Sequence, residues 1–350
     1  MNKVEAEFLK AVSLGSQIIA MLGIYKLANR WFKDKVRIIM FHGVTKKHDP
    51  ITNFDQKHIE RKKLDRFIEL LKKEWIFISL DQFLAYAEGR TKLPENAIHI
   101  TFDDGYENCY TELFPLLKKY EIPATIFLPT VYTGRKEIAW YDAVTYLIAE
   151  TSEAEIVVDQ KVYKLTSQEQ KIAAIAEVKK KIRDSPKKRE SVLEELEHAT
   201  KVKRSSCKNE NFLFMSWEQC QEMQKHGVIF GSHSVHHQIM TAQTEDEIKK
   251  ELKESKKIIE EKLAVPCDYF AYPFGESNIK MQTLLREAGY NAGFTTTYGA
   301  NKRTADKSVL SRISLNNWYD EHILLLTLFC NFPVFHHWLL EKYSRIRRIL

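Results

Sequence analysis

The chain has few cysteines, and they form no pattern typical of a disulfide framework or a structural zinc site. They are odd in number, widely separated and without a C-x-x-C pair: Cys109, Cys207, Cys220, Cys267 and Cys330. Disulfide-rich secreted domains and structural zinc sites rely on paired or closely spaced cysteines. We therefore expect the protein to work in a reducing compartment.

The sequence also lacks a long uninterrupted hydrophobic run. Ser13 and Ser16 interrupt the apolar stretch at residues 8–31, whereas a membrane-spanning helix needs about 20 largely apolar residues. Glu5 and Glu7 stand where a cleavable signal peptide carries positive charge. We therefore expect no cleavable signal peptide, and a protein that is cytoplasmic or peripheral on the cytoplasmic membrane.

Interrupted apolar segments with basic flanks lie at both ends of the chain. We predict an amphipathic helical extension at 1–34 and an apolar, basic helical extension at 319–350, which ends near Arg347 and Arg348. Such segments are typical of a protein that lies on an anionic membrane face. They fit equally well helices that close the main domain or that pair in a dimer.

Neither sign of charge is in large excess, since 53 Lys and Arg stand against 47 Asp and Glu, for a formal charge of +6. No compact stripe combines basic residues with stacking aromatics, so we expect no nucleic acid binding. An anionic glycan, a lipid-linked sugar phosphate or a membrane surface would each suit this charge. The sequence identifies no protein partner.

The most informative stretch that is present is I-T-F-D-D-G-Y at residues 100–106. An apolar, β-branched strand here delivers two adjacent carboxylates, Asp103 and Asp104, and then Gly105. Adjacent acids at a strand end must be solvated, bound to metal or made to share a proton, because like charges resist joint ionisation. Taken alone, the run also fits an Asx-rich turn.

A second polar cluster follows the apolar residues 228–230. The segment G-S-H-S-V-H-H at 231–237 places His233 and His237 four positions apart. One carboxylate and two imidazoles form a common three-ligand set for Zn²⁺ or another divalent transition metal, with a position left open for water and substrate. The two clusters together favour a metal site over a solvated loop.

The third element is Y-F-A-Y-P-F-G at residues 269–275. With the two clusters above, it resembles the polysaccharide deacetylase family, also described as the NodB homology domain or carbohydrate esterase family 4. The resemblance covers about two thirds of the chain. It implies a distorted (β/α)7 barrel and hydrolysis of acetamido groups.

The resemblance assigns roles to individual residues. It implies that Asp103 is the general base and that Asp104, His233 and His237 hold the metal, while His236 is spare. Zn²⁺ is the expected ion, and Co²⁺, Ni²⁺ or Fe²⁺ would also suit these ligands.

The backbone N–H at Phe274, in the segment Tyr272-Pro273-Phe274, is implied to stabilise the oxyanion. Together with Arg312 and Trp140, these residues form our predicted substrate and oxyanion set.

Two departures from the family pattern affect the expected chemistry. Ala271 stands where an arginine usually orients the base, and the late L-x-H motif is replaced by Leu310-Ser311-Arg312. Something other than the late histidine must protonate the leaving amine, and we predict His42 at the end of the first strand. Arg312 is expected to touch either an anionic part of the substrate or the base.

The expected substrate is an N-acetylated sugar of a polysaccharide or of its lipid-linked precursor. An ester would leave more easily than an amide, so O-deacetylation stays open. Two alternatives also remain: hydrolysis of a small amide or cyclic imide, and a degenerate module that binds glycan or membrane without catalysis.

Alternating strand and helix patterns predict an α/β fold whose site lies at the carboxyl ends of parallel strands. The barrel is expected at 35–318, with a charge-dense helical insertion at about 143–211. Trp140, just before the insertion, is predicted either to line a sugar-binding cleft or to pack ordinarily. The main predicted strands are 36–41, 76–79, 97–102, 124–129, 228–232, 269–272, 293–297 and 309–314, and the main predicted helices are 59–73, 107–119, 245–262 and 280–288.

Overall fold

A computed structural model describes residues 35–317 and 319–330. The predicted extension at 1–34 and the part of the C-terminal extension at 331–350 lie outside the described residues. No helix within the described ranges is both long enough and apolar enough to cross a bilayer.

Thirteen strands and ten α-helices make up the described chain. The strands are β1 Lys35–Phe41, β2 Gly43–Thr45, β3 His58–Glu60, β4 Ile76–Phe77, β5 Ala97–Phe102, β6 Ala124–Leu128, β7 Glu155–Val158, β8 Lys161–Lys164, β9 Ile229–Ser232, β10 Tyr269–Ala271, β11 Ala292–Phe294, β12 Asn301–Lys302 and β13 Ile313–Ser314. The helices are α1 Arg61–Glu74, α2 Leu80–Ala87, α3 Phe114–Tyr120, α4 Trp140–Glu150, α5 Gln168–Asp184, α6 Arg189–Thr200, α7 Trp217–Lys225, α8 Glu245–Leu263, α9 Ile279–Glu287 and α10 Glu321–Cys330.

The main sheet is curled and its central strands are parallel. They are ordered β11-β10-β9-β6-β5-β1, and β1 pairs on its other side with β12, antiparallel, and with β13, parallel. A parallel bridge between Phe294 and Leu310 joins β11 to the segment that leads into β13. The two edges of the sheet therefore meet through residues 310–314, and the predicted distorted (β/α)7 barrel is confirmed.

The central strand β5 shows why the sequence adopts this arrangement. All six of its residues are buried, as expected of a parallel strand covered on both faces. His99 is tolerated inside it because its two ring nitrogens contact Ile78 O at 2.7 Å and Thr125 Oγ1 at 3.0 Å. Burial lowers the pKa of His99 to about 4, so the ring is neutral at pH 7.

The strand ends position the candidate site. Asp103 follows β5, His233 follows β9, and both strands run in the same direction in the sheet. Carboxyl ends of parallel strands lie at one face of a barrel, where active sites of this architecture are built. The motifs are therefore brought together by the strand order.

The predicted helix at 107–119 has a more complex form. Within it, Cys109–Leu113 forms a π-helical turn between α-helical residues 107–108 and α3. Pro115, which has no backbone N–H to donate, lies directly after this turn.

The insertion has its own hydrophobic core, formed by α4, α5, α6 and a hairpin of β7 and β8. The sequence indicated a purely helical insertion, so this hairpin was not predicted. Its turn residues Asp159 and Gln160 both have positive φ, at 50° and 62°. Asn-Gly or Asp-Gly is the usual sequence signal for such a turn, and Asp-Gln lacks the glycine.

Candidate active site

Asp104, His233 and His237 converge at the carboxyl end of the barrel. The Nε2 atoms of His237 and His233 lie 3.3 Å and 3.6 Å from Asp104 Oδ1. One potential ligand atom from each residue falls within 4.8 Å of the others. All three side chains are buried. The predicted metal donors thus form one compact cluster.

The protonation states suit a divalent metal. Burial lowers the pKa of His233 to about 4, and its Nδ1 contacts Ala271 O at 2.7 Å, which leaves Nε2 directed to Asp104. Burial opposes ionisation of Asp104, but its contacts with His237 and the neighbouring histidines hold its pKa well below the usual value. Neutral imidazoles and a carboxylate are the forms that bind metal.

An orphaned oxygen supports the same assignment. Asp104 Oδ1 is buried and has no hydrogen-bond partner within the described residues. A buried carboxylate oxygen without a partner is unfavourable, and a cation among these donors would satisfy it. The residues present therefore fit a divalent metal.

Positive backbone φ angles mark the loops that carry these donors. Asp104, Ser234 and His237 have φ of 69°, 65° and 50°, a region that non-glycine residues rarely occupy. After Asp104, Gly105 continues the turn at φ 66°, where a side chain would meet Leu128 at 2.4 Å. The glycine allows the turn that aims Asp104 inward.

Glu251 on α8 fixes the histidine loop. Its carboxylate accepts hydrogen bonds from the backbone N–H groups of Val235 and His236 at 2.8 Å and 3.0 Å. It also contacts His236 Nδ1 at 2.6 Å. The spare histidine of the motif thus joins Glu251 in holding the loop on which His233 and His237 lie.

Asp103 forms a buried bidentate pair with Arg312. The Nη1 and Nη2 atoms donate to its two carboxylate oxygens at 2.7 Å and 2.8 Å. Burial would raise the pKa of Asp103, but the charge and hydrogen bonds of Arg312 more than offset it and hold that pKa below its usual value. Asp103 is therefore ionised, as a general base must be.

The placement of Arg312 corrects its assignment to the substrate set. It is 1% exposed, and it also donates from Nε to Thr295 O at 2.9 Å and from Nη1 to Thr101 Oγ1 at 3.3 Å. No surface is left for an anionic substrate group. Of the two expected contacts, Arg312 makes the one with Asp103, the predicted base.

His42 lies between β1 and β2, beside the two acids. The N–H of Asp103 donates to Phe41 O at 2.9 Å, and His42 is one of the groups near enough to both acids to act on them electrostatically. Its side chain is half-buried, so it combines access to solvent with proximity to the site. This position is compatible with the predicted proton donor.

The segment Tyr272-Pro273-Phe274 divides into core and surface. Tyr272 is 1% exposed and donates its hydroxyl to Ser308 O at 3.0 Å, so its predicted contact with substrate is wrong. The Pro273 ring is buried as well. Phe274 is 38% exposed, has a φ of 59°, and packs its ring 5.0 Å from that of His237.

Of the two placements expected for Trp140, the structure shows ordinary packing rather than the lining of a cleft. Trp140 is 6% exposed in the core of the insertion, where Arg189 lies 5.2 Å from its ring. The next residue, Tyr141, reaches the site instead, with its ring 5.1 Å from that of His237. The helical phase of α4 decides that Tyr141, and not Trp140, faces the metal donors.

A buried ionic network joins the insertion to the barrel. Lys57 Nζ donates to Asp142 Oδ1 at 2.8 Å and to the Tyr106 hydroxyl at 3.0 Å, and that hydroxyl donates to Asp142 Oδ2 at 2.7 Å. Burial opposes the charge on Lys57, but Asp142 more than offsets it and raises the pKa of Lys57. Lys57 carried no motif signal in the sequence.

Comparison with known proteins identifies the family. The polysaccharide deacetylase family profile matches residues 90–293, which include both acids and both histidines of the cluster. The chain belongs to the polysaccharide deacetylase family. The family acts on N-acetyl groups as a hydrolase of carbon–nitrogen bonds.

Two curated relatives illustrate the range of similarity. The chain is 23% identical to YxkH of Bacillus subtilis over 225 residues, which are 64% of this chain and 53% of the relative. It is 31% identical over 116 residues to a poly-beta-1,6-N-acetyl-D-glucosamine N-deacetylase of Staphylococcus epidermidis, covering 30% of this chain and 39% of that enzyme. The chain thus spans about half, or less, of the length of these relatives.

Solved structures share the fold over most of the chain. The deacetylase PplD of Streptococcus pyogenes has a TM-score of 0.57 at 18% identity and covers 84% of this chain and 98% of its own. IcaB from Ammonifex degensii has a TM-score of 0.57 at 18% identity and covers 85% and 97%. These similarities establish the shared architecture.

Proposed function

We propose that this protein is a metal-dependent deacetylase that hydrolyses acetamido groups of an N-acetylated glycan to the amine and acetate. The observation that carries the proposal is the pairing of two functions at one strand end. Asp104 joins His233 and His237 in a donor cluster, while Asp103 is held ionised by Arg312.

The metal centre would be held by Asp104, His233 and His237, with Zn²⁺ as the expected ion and Co²⁺, Ni²⁺ or Fe²⁺ as alternatives. When bound, such an ion would polarise the acyl carbonyl and lower the pKa of a water from about 16 towards about 7. The burial of the three donors excludes bulk water, which strengthens each electrostatic interaction in the site.

Asp103 would accept the proton from the attacking water. Arg312 keeps the carboxylate ionised and fixes its plane through two parallel hydrogen bonds. A carboxylate beside the metal donors, but not among them, is available for proton transfer.

His42 would donate a proton to the departing amine, since an amide nitrogen leaves poorly without one. The backbone N–H of Phe274 is the proposed donor to the oxyanion, and a preorganised donor of this kind is worth about 3 kcal/mol. The positive φ of Phe274 sets the direction of its peptide groups.

The proposed substrate is a β-linked N-acetylglucosamine polymer or a membrane-bound precursor of one. It is supported by the relative whose name specifies poly-beta-1,6-N-acetyl-D-glucosamine. A cytoplasmic or peripheral membrane location, with the chain ends on an anionic membrane surface, stays a prediction. It would favour the membrane-bound precursor over a finished extracellular polymer.

Acetate release from N-acetylglucosamine oligomers tests the proposal. The full chain is treated with chelator, and Zn²⁺, Co²⁺ or Ni²⁺ is then returned stepwise. Release that stops with chelation and returns with metal supports a metal-dependent deacetylase. If the protein binds metal but hydrolyses only small amides or imides, the substrate is a small amide or imide and not a glycan. If it neither binds metal nor releases acetate, the proposal is contradicted.

A further inference from the structure

One polar atom beside the metal donors takes no part in the chemistry above. The hydroxyl of Tyr141 is buried and has no partner at hydrogen-bonding geometry among the described residues, since the neighbouring Tyr106 hydroxyl donates to Asp142 instead. Its side chain is 8% exposed. Buried hydroxyls in folded proteins are nearly always paired, so this one requires an explanation.

The position of Tyr141 places it in the reaction centre. Its ring lies 5.1 Å from the ring of His237, which also has the Phe274 ring 5.0 Å away. Two aromatic side chains therefore flank one metal donor, one from the insertion and one from the barrel. Asp104 Oδ1 and His237 Nδ1 are also buried without partners, so three unsatisfied polar residues gather at one place.

The orientation of Tyr141 is fixed by its surroundings. Lys57 Nζ lies 4.3 Å from the ring centroid, within cation–π range. The same ammonium group holds Asp142, the next residue in α4, at 2.8 Å. The other carboxylate oxygen of Asp142 accepts a hydrogen bond from the hydroxyl of Tyr106, which lies two positions after Asp104.

A hydrogen-bond donor that is fixed in place and has no partner in the protein is available to bind a substrate. Leaving the hydroxyl unsatisfied is unfavourable for folding. Holding it in place would lower the ordering cost of binding. The network of Lys57, Asp142 and Tyr106 thus has a functional reason to be buried at the junction of insertion and barrel.

We propose that Tyr141 is a substrate-binding residue whose hydroxyl donates a hydrogen bond to an oxygen of the bound N-acetyl sugar. The inference rests on the proposed deacetylase function and deepens it. It makes the insertion part of the substrate site, because α4 supplies the residue. Sugar hydroxyl, ring and acyl oxygens are all acceptors that a neutral phenol matches.

The test compares two hydroxyl deletions on the same helix. Tyr141→Phe removes the unpaired hydroxyl. Tyr146→Phe is the matched control, because Tyr146 is also 8% exposed on α4 but pairs with Ser206 Oγ at 3.1 Å within the insertion. For each full-length variant we would measure kcat and KM for acetate release from an N-acetylglucosamine oligomer, Zn²⁺ affinity by calorimetry, and Tm.

Tyr141→Phe is expected to lower kcat/KM by roughly two- to tenfold, the worth of one hydrogen bond, mainly through KM. Zn²⁺ affinity should match that of the wild type, and Tm should equal or exceed it, since no protein hydrogen bond is lost and an unsatisfied buried hydroxyl is removed. Tyr146→Phe should give the opposite pattern, with kcat/KM unchanged and Tm lowered.

Three results would overturn the inference. An unchanged kcat/KM in Tyr141→Phe, with an active wild type, removes the substrate contact and leaves the deacetylase function standing. Loss of Zn²⁺ affinity or of Tm in Tyr141→Phe would assign the hydroxyl a structural role instead. A wild type that neither binds nor hydrolyses the oligomer would overturn the deacetylase function, and the inference with it.

Discussion

Replacing Arg312 by methionine should uncouple the base from the metal site. Methionine occupies a similar volume but removes both hydrogen bonds to Asp103, which is 2% exposed. Removing one partner of a buried ion pair costs about 3–5 kcal/mol of stability. A correctly ionised and aimed base contributes about 10²- to 10⁴-fold, so kcat/KM at pH 7 should fall by at least about 100-fold.

The pH dependence gives a sharper signature than the loss of rate. With Arg312 absent, the strongest influence that opposes the burial of Asp103 is lost, and the pKa of Asp103 should rise above its present depressed value. The acidic limb of the kcat/KM profile, recorded at saturating metal, should therefore move to higher pH. Arg312→Lys keeps the charge without the bidentate geometry, and its acidic limb should lie between those of the wild type and Arg312→Met.

The free energy of unfolding should depend on pH through the same titration of Asp103. A carboxylate with a depressed folded-state pKa stabilises the fold above its unfolded pKa, and this contribution is lost as the pH falls through the folded pKa. The difference in unfolding free energy between wild type and Arg312→Met should thus be largest at neutral pH and shrink in acid.

Arg204→Met is the control for the loss of an arginine. Arg204 pairs with Glu190 at 2.7 Å and with Glu197 at 3.4 Å, but its side chain is 26% exposed and that of Glu190 is 63% exposed. This substitution should cost at most about 1 kcal/mol. An Arg312→Met enzyme with wild-type kcat/KM and an unmoved acidic limb would refute the reasoning.

The other residues of the site give four further predictions. Asp103→Asn should retain metal by calorimetry while losing turnover, and an active variant would remove Asp103 as the base. His233→Ala should lose both metal and turnover, so retained metal would contradict its role as a donor. His42→Ala should lower turnover with metal still bound, and unchanged activity would leave the leaving-group proton to another residue. Glu251→Gln should weaken Zn²⁺ affinity by about tenfold, because the loop that carries His233 and His237 loses a carboxylate that holds it. Glu254→Gln on the exposed side of α8 is its control. Equal Zn²⁺ affinities in the two variants would show that the loop keeps its shape without Glu251.

The metal cluster was predictable because its signals are local. Asp103 and Asp104 are adjacent at the end of an apolar strand, and His233 and His237 lie on one short loop. The order of parallel strands then brings the two segments together. Strand periodicity likewise located the barrel strands within a few residues of their observed bounds.

Contacts between distant parts of the chain were less predictable. Arg312 meets Asp103 across 209 positions, and the contact depends on closure of the sheet through residues 310–314. No local pattern encodes that closure, so the sequence alone did not decide whether Arg312 contacts the substrate or the base. The choice between Trp140 and Tyr141 depends in the same way on how the insertion docks.

The strand that closes the sheet has a consequence for the order in which the protein becomes active. Ribosomes deliver the chain from its N-terminus, so the metal donors at 104, 233 and 237 emerge before Arg312. In the proposed mechanism, a nascent chain therefore presents all three metal donors while Asp103 still lacks the guanidinium that ionises and aims it. Full activity then requires the segment that closes the sheet at residues 310–314, so the proposed chemistry depends on completion of the fold.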